Sequence, residues 1–200
     1  ASLTACGEDA KITTAAPKEE TTAGEEAAAD AGEKKTGSEM IWKLATDAAR
    51  DYPTTKALIR FADEMYERSE GRIAVDIYES SILGDEISYM EQLQTGTVDV
   101  AKLSIGTLSG LYDETQVFLL PFLFKNNTEM WKVLEGETGE YVLNGLNDYS
   151  IQGIGFTDCG SRCFYTTEEI KTIEDFKGKA IRVQNNQLMN SMIDCWVQIR

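Results

Sequence analysis

The sequence predicts an α/β fold built on a parallel sheet, and two stretches carry that prediction. From Ile41 to Leu103, short apolar runs of strand character alternate with segments of helical spacing, the pattern of strands joined by helical crossovers. Further on, Ala180-Ile181-Arg182-Val183 reads as a short strand entered from a Lys177-Gly178-Lys179 turn. Leu188, Met189, Met192, Ile193 and Trp196 then follow at helical spacing. With 200 residues, 42% of them hydrophobic, the chain can build one sizeable core, or one and part of another.

The first forty residues stand apart. Leu3-Thr4-Ala5-Cys6 is similar to a bacterial lipobox, where a signal peptide is cut before a cysteine that is then lipidated. Residues 1–5 are then the end of a signal peptide and Cys6 the lipid attachment site. The alternative is a chance cysteine in a small-residue segment. From Glu8 to Gly37 there is no aromatic residue, and Ile12 is the one aliphatic residue larger than alanine. Such a stretch buries too little apolar surface to offset the entropy of ordering, so residues 6–40 read as an anchor cysteine and a polar tether.

The folded part begins at Met40. Ile41–Ala45 is the first strand, and Thr46–Tyr52 is a loop. Pro53 suits the first turn of a helix whose apolar face is Ala57, Leu58, Phe61, Ala62 and Met65. Ser69-Glu70-Gly71 ends that helix. Arg72–Tyr78 alternates, with Ile73, Val75 and Ile77 inward. A helix carrying Ile87, Met90 and Leu93 runs to Thr95-Gly96, and Val98–Leu103 is another strand. In a parallel sheet, ligands sit beyond the carboxyl ends of the strands. The loops to watch are therefore Thr46–Tyr52, Ser80–Leu83 and Ser104–Leu111. The run Phe118–Phe124 reads as core. Thr128–Tyr149 reads as one or two helices interrupted around Gly136–Gly139, and Gln152–Phe156 as a strand.

Composition removes several kinds of chemistry. The formal charge of −15 argues against nucleic acid or an anionic membrane surface as a partner. No histidine is present, which removes Ser-His and Cys-His nucleophile pairs and imidazole metal ligands. Cys159, Cys163 and Cys195 form no Cys-x-x-Cys pair, so no metal or other cofactor is expected. Buried free thiols are the default for these three, with a Cys159–Cys163 disulfide as the lesser option. No apolar run approaches the roughly 18–20 residues that span a bilayer.

The stretch from Lys177 to Met192 holds the strongest binding chemistry. Between its strand and its helix lie four consecutive amides, Gln184, Asn185, Asn186 and Gln187. An arginine fork beside amides and a helix N-terminus suits a carboxylate carrying hydroxyls. Set against this, a strand arginine on residue type alone is more often solvated or paired with a surface acid.

That stretch resembles the carboxylate-binding segment of the solute receptors of TRAP (tripartite ATP-independent periplasmic) transporters. Tyr78-Glu79-Ser80-Ser81-Ile82-Leu83-Gly84 is similar to their Tyr-Pro-x-x-Gln-Leu-Gly, with Glu79 and Ile82 departing from it. Leu120-Pro121-Phe122-Leu123-Phe124, Gly160-Ser161-Arg162 and the lead-in Thr172–Gly178 are similar to further segments of the same receptors. The resemblance implies a two-lobed periplasmic-binding-protein-like fold, with a nearly complete first lobe at 41–159 and the start of a second, truncated lobe at 160–200.

In function it implies an extracytoplasmic receptor, not an enzyme, that hands a small organic acid (a dicarboxylate or sugar acid) to TRAP membrane subunits. Arg182 becomes the main carboxylate clamp, Arg162 its assistant and Asn186 a polar neighbour. Contact with the membrane would come only through a lipid on Cys6. The alternatives are a sensor input module or a non-functional fragment of the receptor. Val197-Gln198-Ile199-Arg200 departs from the family's Gly-Ala-x-Pro, and one restored G in the coding frame would give Gly-Ala-Asn-Pro. The expectation is a frameshifted or truncated receptor, against the alternative of a short domain with its own ending.

Overall fold

The computed structural model describes residues 37–184 and 186–197. Cys6, most of the 6–40 tether, Asn185 and the tail 198–200 lie outside the described residues. Three parallel strands form the sheet in the order β2-β1-β3. They are β1 (Met40–Ala45), β2 (Ile73–Tyr78) and β3 (Val100–Ala101). Met40 lies opposite Ile73 and Ala45 opposite Tyr78, while Leu44 and Ala45 face Val100 and Ala101 on the other side. The strand expected over Val98–Leu103 is thus shorter as a ladder. Backbone bonds from Asp99 N–H to the Lys43 carbonyl (3.1 Å) and from Lys102 N–H to the Ala45 carbonyl (2.9 Å) prolong it at both ends.

Helix α1 (Pro53–Arg68) joins β1 to β2 and starts on its proline, as the sequence predicts. Ala62 is buried and Leu58, Phe61 and Met65 are half-buried, but Ala57 points to solvent. The helix ends at Ser69, where the Gly71 N–H reaches back to the Tyr66 carbonyl at 2.8 Å. That closure needs left-handed backbone at Glu70 (φ 55°) and Gly71 (φ 81°), which glycine adopts without a Cβ penalty. In β2 the most buried residue is Ala74, while Ile73, Val75 and Ile77 are all half-buried. The strict alternation expected there gives way because both faces of the strand are partly covered.

Helix α2 (Glu86–Gln94) is capped by Asp85, whose carboxylate accepts the Ser88 N–H at 2.9 Å. Helix α3 (Ile105–Leu108) follows β3 directly. A 3-10 segment, Asp113–Leu119, leads to α4 (Asn127–Leu134) and α5 (Glu137–Gly145). The break between α4 and α5 falls where the sequence places it. Gly139 is needed there, because a Cβ would overlap the Leu134 carbonyl. Helix α6 (Gln187–Val197) matches the periodicity of Leu188 to Trp196.

Two packed clusters hold these elements. Ala45, Tyr89 and Val98 bury α2 against the sheet. Met90, Leu108, Tyr112, Val142, Leu146 and Ile151 gather α2, α3 and α5. Full burial of a side chain such as Leu44 or Val98 contributes roughly 1.5–3 kcal/mol. A smaller aromatic group serves the segment around α6: Phe164, Phe176 and Trp196 meet with ring centroids 5.0–5.8 Å apart.

Three expectations change here. Gln152–Phe156 and Ala180–Val183 are not strands, since neither finds a ladder partner among the described residues. The run Phe118–Phe124 is core only in part. Leu119 is buried and Phe118 packs edge-on to Phe156, but Phe122 is 94% exposed. No described helix is long and apolar enough to cross a membrane.

Candidate functional site

A continuous polar strip begins at the carboxyl end of the sheet. Thr46 is fully buried and tied down: its N–H donates to the Tyr78 carbonyl (2.9 Å) and its carbonyl accepts the Ser81 N–H (3.2 Å). This fixes Asp47 at the sheet's edge. The bond between Lys102 N–H and the Ala45 carbonyl sets Lys102 beside it. The Lys102 ammonium lies 2.9 Å from Asp47 Oδ1 and 3.6 Å from Glu86 Oε1. Lys102 and Glu86 side chains are only 12% and 13% exposed, and Asp47 is 42% exposed. Burial by itself would push the Lys102 pKa down. The hydrogen bond and charge of Asp47, with the Glu86 charge, outweigh it and hold the ammonium protonated.

Glu86 opens α2 and is heavily engaged. Its Oε1 accepts the Ser104 N–H at 3.0 Å, and its Oε2 accepts the hydroxyls of Ser104 and Thr107. Ser104 is also the N-cap of α3, accepting the Thr107 N–H at 3.3 Å. Tyr89 donates its hydroxyl to the Lys102 carbonyl at 3.0 Å. Its phenol is pushed well up, first by burial and then by the charges of Glu86 and Asp47.

The strip continues into the later part of the chain. Gln184 donates its Nε2–H to the Ser104 hydroxyl at 2.5 Å and accepts the Arg162 guanidinium on Oε1 at 3.0 Å. One amide thus bridges residues far apart in sequence. Arg162 is exposed, and its other terminal nitrogen lies 4.0 Å from the Met189 sulfur. Arg182 is exposed, and no hydrogen bond or ion pair engages its guanidinium among the described residues. Neither arginine is paired with an acid there.

Asn186 is buried and committed within the chain. Its amide donates to the Ser109 hydroxyl and the Gly106 carbonyl, and its Oδ1 accepts the Met189 N–H at 3.1 Å in the first turn of α6. It is a helix cap that also ties α6 to α3. The expected polar neighbour of a ligand is thus occupied with holding the junction in place.

Of the residues singled out in the sequence, Arg162 joins the strip through Gln184, and Asn186 fixes the same junction to α3. Gln184, one of the four amides noted in the sequence, links Arg162 to Ser104, while Asp47, Glu86, Lys102, Ser104 and Thr107 are members that sequence reasoning did not select. The strand-end rule pointed to the loops holding Asp47, Ser104 and Thr107. Nothing local marked Glu86 in a helix turn or Lys102 at a strand end. Cys159, Cys163 and Cys195 are free and exposed rather than buried: the first two lie in a stretch, 157–165, that is exposed throughout, and Cys195 lies on an exposed position of α6. Among the described residues, no group of three or more Cys, Asp or Glu could hold a metal ion.

A model of the bacterial extracellular solute-binding proteins, family 7 (DctP), matches residues 44–197. A solute-binding protein of Chromohalobacter salexigens is 34% identical over 144 residues, which is 72% of this chain and 43% of that protein. The C4-dicarboxylate-binding periplasmic protein DctP of Rhodobacter capsulatus is 27% identical over 76% of this chain and 46% of its own length. A TRAP periplasmic solute binding protein of Xanthobacter autotrophicus Py2, solved with β-D-galacturonate, is similar with a TM-score of 0.76 at 35% identity. That match covers 78% of this chain and 52% of the other. The chain spans about half the length of the relatives it matches. Its α/β fold is that of one part of the TRAP solute-binding proteins, and the chain belongs to family 7 of the bacterial extracellular solute-binding proteins.

Proposed function

We propose that this chain captures a small organic-acid carboxylate outside the cytoplasm and delivers it to a TRAP-type membrane transporter. The observation that carries this reading is the pair of exposed arginines, Arg162 and Arg182, without acidic partners among the described residues, with Arg162 hydrogen-bonded to Gln184 of the strip at the strands' carboxyl ends. A chain of net charge −15 attracts an anion only where local cations are left unneutralised. Arg182 serves as the main clamp through its two-pronged guanidinium, with Arg162 assisting and Asn186 holding the junction beside them. The chain acts as a receptor and not as an enzyme, in keeping with relatives named for binding. A lipid on Cys6 would hold it at the outer face of the cell membrane.

Calorimetry on the gene product containing this chain tests the site, with D-galacturonate and succinate as probes. Arg182→Ala is expected to weaken binding by roughly 2–5 kcal/mol, because the ligand carboxylate loses its charged partner. Arg182→Lys is expected to bind poorly as well, since one point charge replaces a planar fork. Affinity close to the unmodified protein in both variants would remove Arg182 from the site.

A further inference from the structure

Phe122 combines two local costs at one position. With Pro121 it makes the turn that follows the 3-10 segment Asp113–Leu119, and its backbone there is left-handed (φ 60°). Glycine or asparagine adopts that conformation readily, whereas a bulky side chain is strained in it. The ring is also 94% exposed, so the chain gains almost no burial in return. Strain kept at an exposed aromatic points to a contact made with another molecule.

The surface beside it is apolar as well. Val117, Leu120 and Leu123 are 42–45% exposed. Val117, Phe118, Leu123, Phe124 and Val133 line a groove of about 390 Å³ between the 117–124 run and α4. Single exposed hydrophobic residues are ordinary, but a group of them around a groove marks an interaction surface. The rim is acidic. Glu129 lines the groove, and Glu135, Glu137 and Glu140 are exposed at the end of α4 and on α5, against the two lysines Lys125 and Lys132.

Two occupants from the chain itself fit badly. Glu8–Gly37 has no aromatic residue and Ile12 as its one larger aliphatic residue, too little to fill an apolar groove. A second copy would bring the same charge of −15 and the same acidic rim against this one. The charges suit a partner that offers an apolar projection flanked by basic side chains. A receptor that delivers its ligand to a membrane protein must touch that protein's outward face.

We propose that Phe122 and the acid-rimmed groove beside it are the surface by which the receptor docks on the outward face of its membrane transporter. This rests on the receptor reading above and adds the docking surface to it. Phe122 is the anchor, and the strained turn keeps its ring projecting before the partner arrives.

The test uses the gene product containing this chain, with Phe122→Gly, Phe122→Asn and Glu129→Lys, and D-galacturonate and succinate as probes. Uptake is measured into vesicles reconstituted with the membrane subunits that the receptor serves, as a function of receptor concentration. Both Phe122 variants are expected to raise the half-saturating receptor concentration at least about tenfold, and Glu129→Lys about threefold or more. Calorimetry should show the binding of either acid unchanged. Both Phe122 variants should unfold at the same temperature as the unmodified protein or a few degrees higher, because the strain is relieved. An unfolding temperature lower by about five degrees or more in both would show that the protein's own polypeptide covers the ring, and overturns the proposal. A dimer that sedimentation shows dissociating in the Phe122 variants overturns it in favour of a second copy. Uptake unchanged in all three variants overturns the docking surface while the receptor stands. If the unmodified protein binds neither acid, the receptor reading falls and the docking surface with it.

Discussion

Gly106 offers a sharp test of the junction between the two halves of the polar strip. It sits in the first turn of α3, and a Cβ built there would overlap the Gln184 side-chain amide, with Cδ at 2.5 Å and Nε2 at 2.8 Å. The Gln184 amide is the far end of a flexible side chain, so in Gly106→Ala it swings away instead of forcing the backbone. What is lost is its pair of hydrogen bonds, to the Ser104 hydroxyl and from Arg162. At about 0.5–1.5 kcal/mol each, these sum to roughly 1–3 kcal/mol, with the exposed Arg162 bond at the low end.

Alanine also lowers the backbone entropy of the unfolded chain relative to glycine, which returns about 0.4–1 kcal/mol. The net expectation for Gly106→Ala is a loss of roughly 0.5–2 kcal/mol. Gln184→Ala alone should cost a similar amount. In the Gln184→Ala background the obstruction is gone, so adding Gly106→Ala should be neutral or stabilising. Urea unfolding of the four proteins measures this sign reversal as a double-mutant cycle. If Gly106→Ala costs the same with and without Gln184, the close approach does not set the stability of the junction, and the reasoning fails.

Two further outcomes can be checked. Phe176→Ala removes the buried member of the Phe164–Phe176–Trp196 group and is expected to cost about 3 kcal/mol or somewhat more. Limited proteolysis should then cut first between residues 160 and 197, and a digestion pattern equal to that of the unmodified protein would contradict this. With its signal sequence in place, the protein should partition into the membrane fraction, and Cys6→Ser should move it to the soluble fraction. Unchanged membrane association in that variant would refute the lipid anchor.

The sequence by itself determined those features whose signals lie within a few residues of one another. Pro53 and Ser69-Glu70-Gly71 bracket α1 within a residue of its observed ends. The glycines at 136 and 139 mark the break between α4 and α5, and apolar spacing from Leu188 to Trp196 marks α6. The alternation from Ile41 to Leu103 gave the parallel sheet, and the motifs around Arg182 pointed to the family that the comparisons show.

Tertiary structure decided whatever depends on a partner distant in sequence. Gln152–Phe156 and Ala180–Val183 have strand composition, but a strand exists only where a neighbour completes its ladder, and none does so among the described residues. Exposure is likewise a property of what packs on top, which is why Phe122 and the three cysteines face outward despite their apolar character. The polar strip was the least legible feature. Glu86, Lys102 and Ser104 become one network with Gln184 only after the fold closes a separation of 80 residues between Ser104 and Gln184. Hydrogen bonds and ion pairs act over a few ångströms of space, and no periodicity in the chain encodes which far segment will fill that space.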